Sequence, residues 1–162
     1  AFEFSMIKEI FIPSKVTKIC RFAFYNCIYL TKVEIPTDSN LTHIKSFAFA
    51  ESNIREISIP SKVFEIGLSA FENCCVLTKV VIPENSNLES IDDEAFNNTK
   101  IKYICIPSSV SIIGRDVFKY CSNLKIVEIT EKSKLKYLPS FHYSKDIIIL
   151  MSSSLKNLVN TD

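Results

Sequence analysis

The chain has 162 residues, 47% of them hydrophobic, with 19 basic and 18 acidic side chains and a formal net charge of +1. This composition predicts an ordered chain with one continuous core, and the interspersed charges show neither a basic stripe for nucleic acid nor a polybasic membrane patch. Only two glycines occur, which excludes the glycine-rich phosphate loops of nucleotide-binding proteins.

The dominant feature of the sequence is an internal period of 47 residues. Two sets of phenylalanines recur at this interval: Phe2, Phe49 and Phe96, and Phe24, Phe71 and Phe118. The two sets interleave, so two repeat types of about two dozen residues alternate along the chain. The sequence therefore predicts a repeat array in which each unit contacts mainly its neighbours.

Each repeat contains one short predicted strand, which reads Ile-x-x-Ile-x-Ile over 7–12 and Leu-x-x-Val-x-Ile over 30–35. In chain order the six strands end at Ile12, Ile35, Ile59, Ile82, Ile106 and Ile129. The last two apolar residues of each strand lie two apart and share a face, while the residue between them points the other way. Proline follows five of the strands and ends them, and Thr130 replaces the sixth proline. Stacked together, the strands predict one parallel sheet.

A small residue followed by phenylalanine marks the outer part of each repeat, at 23–24, 48–49, 70–71, 95–96 and 117–118. These segments are too short for standard helices. We expect short 3₁₀ or single-turn α-helical pieces on the outer side, with the phenylalanines stacked into a buried spine.

Both ends of the chain depart from this pattern. Ala1-Phe2 occupies the small-Phe position and leads directly into the first strand, so we expect a fragment of a longer array. Near the other end Phe141 restarts a repeat, but residues 146–150 lose the spacing and three serines follow. We predict a single domain over 1–162, with about six repeats of 23 or 24 residues over 1–141 and an irregular strand and cap over 142–162.

The column pattern Ile-Pro-Ser-x-Val-x-x-Ile-x-x-x-Ala-Phe-x-x-Cys-x-x-Leu-x-x-Val-x-Ile, repeated over residues 1 to about 141, resembles the BspA-type leucine-rich repeat. The resemblance implies a leucine-rich repeat solenoid of the α/β horseshoe type, with a curved parallel β-sheet on the concave face and helical turns on the convex side. It also implies a protein at the cell surface or secreted, of a kind suspected of adhesion to host cells or matrix proteins. A cytoplasmic interaction scaffold, or a structural spacer of the same fold, is the alternative, because a fold fixes function poorly. Cys20 departs from the pattern, since later repeats have Gly67 and Gly114 there.

The six cysteines are predicted to be reduced thiols. Cys27, Cys74 and Cys121 lie two repeats apart, so at ~4.8 Å per strand their Cα atoms should be ~9.6 Å apart, beyond the ~7 Å limit for a disulfide. No Cys-x-x-Cys spacing or nearby histidine completes a zinc set, so neither a metal nor a cofactor is predicted. Cys105 should project from the concave face.

No catalytic constellation accompanies the repeats. His43 falls in a variable, exposed column and His142 in the irregular end, and the repeat places no nucleophile or acid beside either. The acidic run at 92–94 begins an outer turn, where it would suit a helix N-terminus. We predict that the chain is not an enzyme.

The concave face is the predicted protein-binding surface. Its candidate residues are Glu9, Phe11, Lys32, Glu34, Glu56, Lys79, Val81, Tyr103, Ile126 and Glu128. The four apolar members, rimmed by charges, suit a protein partner for which an aromatic side chain is the anchor. Two other interpretations stay open: scattered exposed apolar residues are normal, and neighbouring repeats of a longer array would cover Phe11 and Ile126.

The predicted partner is a protein ligand, such as a host-cell surface or extracellular matrix protein. Nucleic acid is not predicted, and the longest apolar run, residues 147–151, is too short to span a membrane. The open ends of an array also allow end-to-end self-association. Two acceptor patterns for N-glycosylation, at 40–42 and 97–99, slightly favour an exported protein.

Overall fold

The chain winds into a parallel β-solenoid of about six coils, one for each repeat. The structure is a computed structural model that describes residues 1–138, 141 and 147–151. All strand pairs in it are parallel, because each coil returns the chain to the same side of the stack in the same direction.

Two short strands from most coils form two separate faces. The main strands are β1 (Glu9–Phe11), β3 (Lys32–Glu34), β5 (Glu56–Ser58), β7 (Lys79–Val81), β9 (Tyr103–Ile106), β11 (Ile126–Ile129) and β12 (Ile148–Met151). We call their outward side the strand face. The others are β2 (Lys18–Ile19), β4 (His43–Ile44), β6 (Glu65–Ile66), β8 (Ser90–Ile91) and β10 (Ile112–Ile113), which form the second sheet.

The predicted strands are present, but they do not form the single continuous sheet that the sequence predicted. The main strands pair in three groups, β1 with β3, β5 with β7, and β9 with β11 and β12. With three or four residues each, these strands make few ladder bonds, so a small displacement between coils ends the pairing. The coils stay linked across both interruptions, because the backbone N–H of Arg55 donates to Thr31 at 3.3 Å and that of Lys100 donates to Leu77 at 2.9 Å.

The second sheet was not predicted from the sequence. Its five strands have only two residues each, and each strand turns a single isoleucine toward the core. A two-residue strand has no alternation to detect, so pattern analysis finds only an isolated apolar residue.

The outer turns contain no helix within the described residues, which corrects the expected helical convex side. Backbone geometry gives the reason. Phe22 and Asn26, four residues apart, both have positive φ, at 57° and 51°, and left-handed residues at this spacing interrupt a helix. Phe24 donates its N–H across to Ala48 in the next coil at 2.7 Å, while the neighbouring Ala23 N–H donates locally to Cys20 at 3.1 Å. Hydrogen bonds between coils thus replace those of a helix.

The acidic run at 92–94 therefore caps no helix. Glu94 itself has a φ of 59°, and the backbone N–H of Arg115 donates to an Asp93 carboxylate oxygen at 2.7 Å. Burial, together with nearby Glu65, raises the pKa of the Asp92 carboxyl above its ordinary value. These acids belong to the contacts between turns of neighbouring coils.

The phenylalanine spine predicted from the 47-residue period is confirmed. Adjacent rings stack nearly parallel, with centroids 5.1–6.1 Å apart and interplanar angles of 13° or less. The stacked residues are Phe2, Phe24, Phe49, Phe71, Phe96, Phe118 and Phe141. Burying each ring fully contributes roughly 1.5–3 kcal/mol, so the spine is a main source of stability.

A column of small polar groups runs beside the spine. All six cysteines are free thiols, as predicted, and Cys27, Cys74 and Cys121 are buried in this column. The Cys74 thiol donates to the backbone oxygen of Phe49 at 3.1 Å and lies 3.5 Å from the Ser52 hydroxyl. Burial raises the pKa of Cys74 to about 12, so the thiol is protonated at neutral pH.

Gly67 and Gly114 occupy positions where neighbouring coils touch. A Cβ on Gly114 would lie 2.3 Å from the backbone nitrogen of Asp93, and one on Gly67 would lie 2.8 Å from that of Ser46. Both glycines are thus required by close backbone approach rather than by turn conformation, since neither has a positive φ.

Candidate functional site

The predicted site residues fall in two adjacent columns along the strand face. The first column contains Glu9, Lys32, Glu56, Lys79, Tyr103, Ile126 and Ile148. The second contains Phe11, Glu34, Ser58, Val81, Cys105, Glu128 and Leu150. All ten candidates lie in these columns because the strand alternation turns them away from the core. The structure thus places them on one surface, and their role in binding stays a prediction.

The first four coils carry a ladder of alternating charge. Glu9 lies beside Lys32, and Glu56 lies beside Lys79 with an Nζ–Oε2 distance of 3.8 Å. Lys32 also pairs with Glu34 two residues along its own strand, and that contact raises the pKa of the Lys32 ammonium. Because these side chains are more than half exposed, each pair contributes little to stability.

From Val81 onward the strand face becomes more apolar. Val81 and Tyr103 are 40% and 44% exposed, and Ile126 is partly buried beside Tyr103. The Tyr103 hydroxyl donates to Glu128 at 2.5 Å, and this hydrogen bond is the main cause that raises the pKa of Tyr103. Cys105, half-buried next to Glu128, has a thiol pKa raised mainly by desolvation. This half offers an aromatic surface held in place by a hydrogen bond.

Shallow depressions cross both halves of the face. One of about 450 Å³ includes Phe11, Ser58 and Val81 in its lining, and it forms where the small Ser58 side chain leaves space in the second column. Another, of about 340 Å³, lies between β7 and β9 and includes Lys102 and Tyr103 in its lining. The second depression coincides with one of the two interruptions in strand pairing.

A row of basic residues borders the strand face and was missed in the sequence. The residues directly before the main strands are Lys8, Thr31, Arg55, Thr78, Lys102 and Lys125, all exposed. Lys8, Arg55 and Lys102 recur at the 47-residue period, which is visible in the sequence. Because the coils stack, these three residues lie along one edge of the strand face. The interspersed charges of the linear sequence thus become a partly basic border in the folded chain.

Of the two histidines, His43 lies in the part of the chain that the structure describes. His43 is partly buried, with its Nδ1 atom 2.8 Å from the Thr42 hydroxyl and its Nε2 atom 3.8 Å from a Glu65 oxygen that also pairs with Lys45. His142 lies outside the described residues. Among the described residues no three metal-ligating side chains come together, and no helix could cross a membrane.

The two glycosylation patterns differ in access. Asn40 is exposed, and its side-chain oxygen accepts a hydrogen bond from Lys62 at 2.7 Å. Asn97 and Thr99 are 8% and 0% exposed, and Thr99 donates to the backbone oxygen of Phe96. Only the first pattern presents its asparagine at the surface of the folded chain.

Comparisons with known proteins agree with the solenoid. A family model described as the BspA type leucine-rich repeat region matches six copies over residues 1–125. The crystal structure of the pneumococcal vaccine antigen PcpA is 32% identical with a TM-score of 0.74, and the match covers 77% of this chain and 31% of PcpA. No match was found among curated proteins.

Two further structures share the fold. A leucine-rich repeat protein of T. pallidum is 21% identical with a TM-score of 0.70, over 94% of this chain and 81% of that protein. A leucine-rich cell surface protein of Faecalibacterium prausnitzii is 24% identical with a TM-score of 0.59, over 86% of this chain and 42% of that one. The chain thus spans well under half the length of PcpA and of the F. prausnitzii protein.

Proposed function

Because the chain belongs to the BspA-type leucine-rich repeat family, we propose that it is a segment of a cell-surface adhesin or antigen that binds a protein partner through its strand face. The observation that carries this proposal is the contrast within each coil. Inward positions repeat the same residue types, whereas the outward columns differ from coil to coil. Variable side chains on a uniform scaffold are what selective recognition requires.

The strand face also presents its exposed side chains on short paired strands. Its side chains are mounted on paired strands, so their positions are fixed by the ladder and little entropy is lost when a partner binds. Exposed Phe11 and Tyr103 supply large apolar surfaces, which are typical anchors of protein interfaces. The likeness to PcpA, a vaccine antigen of pneumococcus, supports placement at a cell surface, and a host-cell or matrix protein is the partner that we propose.

A cytoplasmic scaffold or spacer of the same fold is the second candidate. The six free thiols are equally well suited to it, because reduced cysteines persist in a reducing compartment. Catalysis has no comparable support, since the family fold typically serves interaction. Locating the full-length protein in its cell separates the first two candidates.

The decisive experiment measures binding of the chain to intact host-type cells and to a panel of matrix proteins. A Phe11→Glu, Tyr103→Ala double variant tests the strand face, and a Phe64→Glu, Ile112→Ala variant is a matched control away from it, since both control residues are exposed. We expect the parent and the control to bind and the strand-face variant to lose binding while keeping its circular dichroism. Equal binding by all three would place the site elsewhere, and no binding by any would favour the scaffold.

A further inference from the structure

Lys102 and Lys125 form an unusual pair on the border of the strand face. They occupy the same position in adjacent coils, where the Lys125 backbone N–H donates to the Lys102 carbonyl at 3.0 Å. Like charges in neighbouring strands repel, and neither ammonium forms a salt bridge within the described part of the chain. This is the one place in the described border row where two basic residues are not separated by threonine.

Earlier in the row the threonines serve the backbone. The Thr31 hydroxyl donates to the Lys8 carbonyl and the Thr78 hydroxyl donates to the Arg55 carbonyl, each at 3.3 Å. Each threonine thus links its coil to the preceding one with a neutral contact. Lys125 occupies the corresponding position in a later coil, where it has no hydroxyl and adds a second positive charge to the border.

One member of this pair, Lys102, lines the depression between β7 and β9, and Lys125 follows it in the next coil. Lys102 lines it together with Lys79, Val81 and Tyr103, so basic groups and an apolar floor share about 340 Å³. Among the residues that the structure describes, Lys79 forms an ion pair only with Glu56, 3.8 Å away and 71% exposed, a contact that a ligand carboxylate can replace.

Apart from Glu56 beside Lys79, the acidic groups around this depression lie toward the other end of the strands. Glu128 accepts the hydrogen bond of the Tyr103 hydroxyl, and both Glu128 and Glu84 act electrostatically on Cys105. The depression is therefore polarised, with positive charge where the strands begin and negative charge where they end. An occupant must place its anionic groups on the lysine side.

We propose that this depression binds an extended acidic segment of a protein partner, with carboxylates at Lys79 and Lys102 within it and at Lys125 beside it, and an apolar side chain on Val81 and Tyr103. The inference rests on the proposed function and names the chemistry of its partner. Charge complementarity selects carboxylates, and the apolar floor selects a peptide over a sulfated polysaccharide, which would cover Val81 with polar groups and meet Glu128.

Two matched peptides test the proposal directly. One has the sequence Glu-Glu-Phe-Glu-Leu-Glu and the other has lysine in place of each glutamate. Each is titrated into the ¹⁵N-labelled chain, and the amide resonances are followed. We expect the acidic peptide to shift resonances in β7, β9 and Lys125, with weaker binding at high salt, and the basic peptide to leave them unchanged.

A charge-reversed variant makes the test specific. In Lys102→Glu, Lys125→Glu we expect the dissociation constant of the acidic peptide to rise about tenfold or more, the effect of two lost exposed charge contacts. A Lys18→Glu, Lys62→Glu variant has the same net charge with both changes away from the depression, and it should bind within about twofold of the parent.

Several results would overturn the proposal. These are equal binding of both peptides, shifts confined to other coils, or shifts at the lysines with a heparin-derived hexasaccharide but not with the acidic peptide. Failure here is distinguishable from failure of the proposed function. If the lysine variant keeps the binding to cells or matrix that Phe11→Glu, Tyr103→Ala loses, the strand face is the interface but its partner is not acidic.

Discussion

The interior columns and the strand face are built from the same coils but follow opposite rules. Inside, the same residue type returns in coil after coil, as in the ring stack from Phe24 to Phe118, all 4% exposed or less. Outside, one column runs through glutamate, lysine, tyrosine and isoleucine. The difference teaches that every coil contributes the same kind of contact to stability, whereas under the proposed function the varying residues of the strand face select the partner.

The largest expected effect tests the interior. Phe71 is fully buried between Phe49 and Phe96, with ring centroids 5.4 and 5.3 Å away. Phe71→Ala leaves a cavity in the middle of the spine, and we expect the free energy of unfolding in urea to fall by about 3–5 kcal/mol. Phe2→Ala is the matched control, because Phe2 is 46% exposed and, among the described residues, stacks on Phe24 alone, and it should cost much less. Equal losses of stability in the two variants would contradict a spine in which buried rings contribute more than exposed ones.

The next effect is a dependence of stability on alkaline pH. The pKa of Cys74 rises from 9.0 to about 12 on folding, mainly through burial, so the native state holds the thiol proton when the unfolded chain has lost it. The stabilisation is complete below pH 9 and is lost as the pH rises through 12, at about 1.4 kcal/mol for each pH unit.

Urea unfolding at pH 7 to 10.5 measures this slope. Other groups with raised pKa values, such as Tyr103 and Cys121, contribute to the parent curve, so the informative quantity is the difference from a Cys74→Ser variant. We expect that variant to lose less stability above pH 9 than the parent. Cys75→Ser changes an exposed thiol and should keep the parent slope. Identical slopes in all three proteins would show that Cys74 is not protected by burial.

The sequence predicted the interior well because repetition makes each column visible several times. The ring spine, the strand ends and the reduced cysteine column all come from residues that recur at fixed spacing and point inward. Short segments escaped prediction. The second sheet rests on strands of two residues, and the outer turns use positive φ at Phe22 and Phe47, where β-turn statistics would favour glycine or asparagine.

The candidate site was predictable only in part. Strand alternation identified which residues point outward, so the ten candidates do lie on one face. The basic border escaped because Lys102 and Lys125 are 23 residues apart in sequence and become neighbours only when the coils stack. Contacts of this kind depend on register between coils, which composition and local charge runs do not reveal.

The smallest expected effect tests the other side of the comparison, the strand face. Glu56→Lys removes the contact with Lys79 and places like charges side by side in the first column. Because these side chains are well exposed, we expect unfolding to become easier by at most about 1 kcal/mol, and the difference to shrink in 1 M salt. Glu89→Lys makes the same change in net charge at an exposed position away from the strand face and should cost still less.

If Glu56→Lys instead cost as much as Phe71→Ala, the face would be part of the folding core and not free to vary with the partner. A small, salt-sensitive loss means that substitutions on this face alter binding while leaving the solenoid intact, which is the condition that every binding experiment on it requires.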